Sequence, residues 1–261
     1  MAYFERTGPT TFRATRHTGG AWTLDEQHIA PALGLLAHVV ETDRDERRPE
    51  TGTDRLPMAR LSFDILGTLP IDEVETSVRV LRPGRTIELV EATLSHGGRP
   101  AVLLRTWLVQ QRDTTRIAGT PTPTIPAPAD TPAWDPSTVW PGGFIATAHL
   151  RRSQVAPGRA HFWVRTDEPL VDGEPVSPTA AAVGLLDIAN GMTVREDPGS
   201  VAFPNLDLTA HLVREPRGGW VGFDTSVTFG DDGIGLTSSV LHDEDGPVGT
   251  LAQVLTVRPQ R

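Results

Sequence analysis

Three polar side chains stand where the surrounding sequence is apolar. Asp187 lies inside Ser177-Pro178-Thr179-Ala180-Ala181-Ala182-Val183-Gly184-Leu185-Leu186-Asp187-Ile188-Ala189-Asn190-Gly191, Asn205 opens the run to Arg214, and Gln253 interrupts Leu251-Ala252-Gln253-Val254-Leu255. A carboxylate can take a proton from water, and carboxamides can orient that water, so the three together suit general-base chemistry. An acid in an enclosed apolar helix needs partners or takes a proton. Each residue has a plainer reading as well. Asp187 could share a narrow solvated face with Val183 and Asn190, Asn205 could make a turn bond, and Gln253 could point outward. Strand alternation places Asn205, Asp207 and Thr209 on one face.

The elements that must position these residues occur twice. In the second half a strand over Gly158–Thr166 precedes an apolar helix with Ser177 as its cap, Pro178 as its first residue and Gly191 as its stop. Strand-like runs follow at Asn205–Arg214, Trp220–Phe229, Gly235–Leu241 and Val248–Val257, separated by turn sequences such as Gly230-Asp231-Asp232-Gly233. The first half repeats the order. An early strand near Tyr3–Arg16 precedes a helix near Pro31–Val40, then strands at Ala59–Leu66, Val74–Leu81, Thr86–Ser95 and Val102–Val109. Gly34-Leu35-Leu36-Ala37 matches Gly184-Leu185-Leu186-Asp187, and Gly98–Val109 matches Gly246–Val257. Superposing the repeats pairs Ala37 with Asp187, Arg60 with Asn205 and Arg105 with Gln253, so the acid and both amides belong to the second copy alone. The pattern predicts an α+β fold, in which each antiparallel sheet curls around a helix and the two sheets join edge to edge.

Between the copies, residues 114–143 carry seven prolines, which remove backbone donors and bias their predecessors to extended conformations. This stretch reads as a semi-extended linker pinned by Trp134 and Trp140, giving an N-terminal unit over 1–113 and a C-terminal unit over 144–261. The 261 residues include 24 basic and 33 acidic groups, a net charge of −9 with histidine neutral. That balance argues against a nucleic-acid or anionic-membrane partner. Every basic residue is arginine and there is no cysteine, which excludes lysine Schiff bases, thiolate metal sites and a cysteine nucleophile. The eight histidines show no i, i+4 pair and no Gly-x-Ser-x-Gly elbow occurs, so neither a metal nor a serine hydrolase is expected. His38 reads as a capping or surface group. With no apolar leader or spanning segment visible, the expected location is cytoplasmic.

Taken in order, Gly158–Thr166, the helix ending Gly-Leu-Leu-Asp, Asn205–Arg214 and Gly249-Thr250-Leu251-Ala252-Gln253 resemble the TesB-like acyl-CoA thioesterases, which are double-hotdog proteins. The likeness spans about Trp22 to Pro259. It implies hydrolysis of an acyl-CoA thioester without a cofactor, CoA entering only as part of the substrate, and it leaves a homodimer or larger homo-oligomer open. It also implies a water held by a helix Asp, a strand Thr or Ser and a last-strand Gln, which fall on Asp187, Asn205 and Gln253. Asn205 departs from the family hydroxyl. The thioester oxygen would be stabilised by the first turn of the Asp187 helix or by a loop amide, and Arg151, Arg152, Arg165 and Arg214 are candidates to meet CoA phosphates. The alternative is an acyl-binding module that keeps the groove but has lost the chemistry.

Overall fold

A computed structural model describes residues 1–48 and 55–260. Its strands are β1 (Phe4–Arg6), β2 (Thr11–Ala14), β3 (Met58–Ile65), β4 (Glu73–Arg82), β5 (Ile87–His96), β6 (Arg99–Val109), β7 (Ala133–Trp134), β8 (Ala148–Ala156), β9 (Arg159–Thr166), β10 (Val201–Ala202), β11 (Asp207–Leu212), β12 (Val221–Phe229), β13 (Ile234–Asp243), β14 (Gly246–Thr256) and β15 (Arg258–Pro259). The helices are α1 (Ile29–Arg47), α2 (Gly143–Ala146), α3 (Pro178–Val183) and α4 (Ala189–Met192). Thirteen strands form one sheet in the order β1-β2-β4-β5-β6-β3-β11-β14-β13-β12-β9-β8-β7. All strands of the first half lie on one side of the β3–β11 junction and those of the second half on the other. Each half meets its twin through an edge that would otherwise present unpaired N–H and C=O groups.

The register makes the duplication quantitative. Leu61 faces Thr106 as Leu208 is set beside Gln253, Val90 faces Thr106 as Thr237 faces Gln253, and Val78 faces Ala92 as Thr225 faces Ser239. Ser62 and Thr209 are equivalent residues that pair with each other across the junction, hydroxyl to hydroxyl at 3.1 Å. A local two-fold axis therefore runs through that pair. The same axis passes between the helices at Gly34 and Gly184, where a Cβ on Gly34 would come within 2.8 Å of the Gly184 Cα.

This register corrects two of the pairings drawn from sequence. The counterpart of Gln253 is Thr106, which is buried, whereas Arg105 points outward and pairs with Glu91. The counterpart of Asn205 is Met58, not Arg60: Met58 pairs with Leu108 as Asn205 bridges Leu255. A one-residue slip turns every side chain to the opposite face, which is how the exposed Arg105 is matched with the inward Gln253; the Arg60 pairing is displaced by two residues, across the irregularity between Met58 and Arg60.

The helices also depart from expectation. α1 is longer than Pro31–Val40 because its charged tail, Thr42–Arg47, continues the helix with Arg47 donating to Asp43 one turn back at 2.7 Å. Residues Ala30 to Glu41 are buried without interruption, as expected for a helix wrapped by a sheet. The second helix starts where its sequence predicts, with Ser177 Oγ accepting from the Ala180 N–H and Pro178 at the first position. It then breaks at Gly184, passes through a 3₁₀ turn over Leu186–Ile188, and resumes as α4, so Gly191 lies inside a helix instead of ending one. His38 is buried against Glu174 (Nε2 to Oε2, 2.9 Å), not on the surface.

The early strand is a β1–β2 hairpin turned by the Gly8-Pro9 region. The polar linker is held on the sheet by Trp163 Nε1 donating to Pro126 O and Trp140 Nε1 donating to Gly191 O, both at 2.8 Å.

Candidate active site

Asp187 occupies the 3₁₀ turn between α3 and α4, and its burial is nearly complete, with 7% of its surface exposed. The break at Gly184 is what turns it from a helical repeat position toward the sheet. Gln253 reaches it from β14, where Leu251, Gln253 and Leu255 face inward and Ala252 and Val254 outward. Gln253 Nε2 donates to Asp187 Oδ1 at 3.0 Å, which settles the direction of a side chain whose strand allowed either.

Asn205 comes from the segment preceding β11. Alternation would place it outward with Asp207 and Thr209, but the chain bends at Leu206, which is half exposed, and the bend turns Asn205 inward. Its Nδ2 donates to Asp187 Oδ1 at 2.6 Å and to Asp207 O at 3.1 Å. The three candidates thus meet at one carboxylate oxygen. Asp187 Oδ2 makes no hydrogen bond among the described residues, and Gln253 Oε1 is a buried acceptor without a partner.

Electrostatics follow from what surrounds this carboxylate. Burial pushes Asp187 from 3.8 up to about 7, while the Asn205 and Gln253 hydrogen bonds pull in the other direction. The two amides are neutral, and among the described residues nothing of opposite charge offsets the desolvation. A carboxylate that titrates near neutrality in a cavity can accept and return a proton within one catalytic cycle.

That cavity has a volume of about 460 Å³ and takes residues from both halves. Asp187, Asn190, Phe203 and Asn205 come from the second half; Trp22, Gln27, His28 and Ile65 come from the first. Trp22, Trp140 and Phe203 make an aromatic wall of edge-on contacts, with centroids 4.8 Å apart for Trp22–Trp140 and 5.4 Å for Trp22–Phe203. Such a space, mostly apolar with a few convergent polar groups, suits a small ligand with a hydrocarbon part. Sequence reasoning singles out neither Trp22, Phe203 nor His28, and Trp140 only as a pin of the linker. Trp22, His28 and Trp140 are remote from Asp187 along the chain, and only the folded topology brings them to it.

The first turn of α3, by contrast, does not line the cavity. It lies at the far end of the helix, where Ser177 Oγ donates to Glu41, so it is not the place for an oxyanion near Asp187. Arg151, Arg152, Arg165 and Arg214 do not line the cavity either. Arg152 stacks on Trp134, Arg165 pairs with Asp167, Arg214 pairs with Asp243, and Arg151 donates to Thr131 O. Arg258 is the cavity's arginine, at its exposed rim. No group of three or more His, Cys, Asp or Glu residues that could hold a metal occurs among the described residues.

Residues 18–109 match the N-terminal domain of acyl-CoA thioesterases, and residues 121–257 match the C-terminal domain of the same family. The chain belongs to the acyl-CoA thioesterase family. As an enzyme it is therefore a thioesterase, and solved structures place its fold.

This thioesterase is similar to a hot dog fold protein of unknown function from Alicyclobacillus acidocaldarius, with a TM-score of 0.72 at 14% identity over 98% of this chain and 96% of the other. It is also similar to the acyl-CoA thioesterase II TesB2 of Mycobacterium marinum, with a TM-score of 0.67 at 15% identity over 98% and 96%. The tesB protein of Mycobacterium avium subs paratuberculosis gives 0.66 at 16% identity over the same shares. The thioesterase is thus a double hotdog, as the repeated element order predicted. No curated protein sequence matches the chain. None of its helices, among the described residues, is long and apolar enough to cross a membrane.

Proposed function

We propose that this thioesterase hydrolyses acyl-CoA thioesters to a carboxylic acid and free CoA, with Asp187 as general base. The supporting observation is a buried carboxylate, raised to about 7, whose Oδ1 is held by two carboxamides while Oδ2 is unbonded at the cavity.

Both Asn205 N–H groups are committed, one to Asp187 and one to Asp207 O, so its Oδ1 serves as an acceptor. A water that donates one hydrogen to Asp187 Oδ2 and the other to Asn205 Oδ1 presents a lone pair to the thioester carbon. Attack forms the C–O bond as the proton passes to Asp187. Collapse then breaks the C–S bond, and the departing thiolate receives that proton. Gln253 holds the carboxylate in line throughout. An acyl thioester is activated enough that water suffices and no covalent nucleophile is needed.

The aromatic wall of Trp22, Trp140 and Phe203 would take the acyl chain, and Arg258 stands at the rim where the CoA phosphates would pass. All three water-handling residues lie in the C-terminal unit, 144–261, while the cavity is completed by the N-terminal unit. Release of free thiol from short, medium, long and aromatic acyl-CoAs tests this reading: turnover of at least one class is expected, and binding without thiol release from any class would replace it with the acyl-binding alternative.

A further inference from the structure

The first-half wall of the cavity carries a polar side chain that the steps above leave unused. His28 caps α1: its Nδ1 accepts a hydrogen bond from the Ala30 N–H at 3.1 Å. A neutral imidazole that accepts at Nδ1 carries its proton on Nε2. Burial holds this ring far below the ordinary histidine value, at about 3, so it remains neutral through the pH range in which Asp187 titrates. Its plane is fixed by Phe144, whose ring centroid lies 4.4 Å away. Nδ1 faces the helix, so Nε2 lies on the opposite side of the ring. It has no hydrogen-bond partner among the described residues, and His28 lines the same cavity as Asp187 and Asn205.

The buried side-chain donors around the cavity each already have an acceptor. Gln27 Nε2 donates to Pro70 O at 2.7 Å, Trp140 Nε1 to Gly191 O at 2.8 Å, and Asn190 Nδ2 to Phe203 O at 3.3 Å. In the first turn of α1 the Ala30 N–H is held by His28 itself and Pro31 has no N–H.

We propose that His28 donates its Nε2–H to the thioester carbonyl oxygen and stabilises the oxyanion formed when water attacks. The inference rests on the hydrolytic reading above. As the water oxygen bonds to the carbonyl carbon, the carbonyl π pair moves onto oxygen, where the Nε2–H receives it as a hydrogen bond. The proton stays on His28, since a neutral imidazole is a very weak acid. The pair returns when the C–S bond breaks, and the thiolate is protonated from Asp187. Each half of the protein thus supplies one side of the reaction: the second half handles the water and the first handles the oxygen. A fixed donor of this kind does its work without reorganising during the step.

His28→Ser tests the assignment, because serine preserves an oxygen to cap α1 but has no group that reaches the cavity. The expected result is a kcat lowered by about 10²-fold, the scale for one oxyanion donor, with KM and melting temperature unchanged. His28→Asn, an equally good cap with a short amide, is the second variant and guards against a folding defect in the first. The direct readout is the infrared carbonyl stretch of an acyl-CoA bound to Asp187→Asn protein. It is expected below the frequency in water, and the shift should vanish when His28→Ser is added.

Turnover of the serine variant at the wild-type rate, or a carbonyl band indifferent to His28, overturns the assignment while leaving the hydrolytic reading intact. A wild-type chain that binds acyl-CoA and releases no thiol overturns the hydrolytic reading and the oxyanion role with it, whichever way the carbonyl band responds.

Discussion

At one end of the paired helices His28 caps α1 over the cavity that holds Asp187; at the other, Ser177 caps α3 beside Glu41. The two ends are related by the axis through Gly34–Gly184 and Ser62–Thr209, so they are equivalent places in the repeat. Their buried acids have different company. Glu41 has Arg44 at 3.8 Å and Arg55 at 3.5 Å in addition to the Ser177 hydroxyl. Among the described residues Asp187 has only the amides of Asn205 and Gln253. Burial raises both acids, but at Glu41 two permanent cations work against the rise. Where Asp187, Asn205 and Gln253 converge, the other copy has Ala37, Met58 and Thr106, all buried. An acid paired with arginines is a structural tie; an acid paired with neutral amides keeps an affinity for protons near neutral pH. The two copies of the repeat thus hold their buried acids in different company, arginines at one end and neutral amides at the other.

The largest effect should come from removing the titrating oxygen. Asp187→Asn retains an oxygen for both amide donors, and is expected to cut kcat for CoA release by about 10²–10⁴-fold with the fold intact by circular dichroism. Next comes Gln253→Thr, which installs the residue that the other half uses. Loss of one donor to Oδ1 should lower kcat by about 10-fold or more and raise the pH needed for half-maximal rate, because that hydrogen bond pulls the Asp187 pKa down.

A third consequence concerns stability. The folded chain holds the Asp187 proton up to about 7 and the unfolded chain only to about 3.8. The resulting stability is complete below the lower value and is lost as pH rises through the upper one. Denaturant melts should therefore show Asp187→Asn gaining on wild type between those two values, by on the order of 2–4 kcal/mol at alkaline pH. The smallest effect belongs to the other end. Glu41→Gln should cost about 1–2 kcal/mol in the same melts and leave CoA release unchanged.

Much of this architecture is legible in the sequence because a sheet wound around a helix imposes strict alternation. β3, β4, β5, β6, β9, β12, β13 and β14 all lie within a few residues of their expected places. β8 was missed since its run, Ala-His-Leu-Arg-Arg-Ser-Gln-Val-Ala, lies near the sheet edge with Leu150 as its buried apolar anchor and shows no apolar period. The break at Gly184 is not legible by analogy, because Gly34, which meets Gly184 at the same close approach, lies within the unbroken α1.

At the site, Asp187 and Gln253 stand out as polar groups in apolar runs, and contact between them is the physical reason they are tolerated. Asn205 could be named but not aimed, since its direction depends on the bend at Leu206. His28 carries no local signal beyond preceding a helix; its meaning lies in which cavity the fold opens beneath it.

The most direct test of Asp187 as the base is the pH dependence of kcat/KM for CoA release by the free enzyme. A proton acceptor raised to about 7 by burial predicts a rate that climbs tenfold per pH unit below that value, then levels off, with the climb missing from the residual activity of Asp187→Asn. A profile flat from pH 5 to 9, or the same climb in wild type and variant, would contradict it.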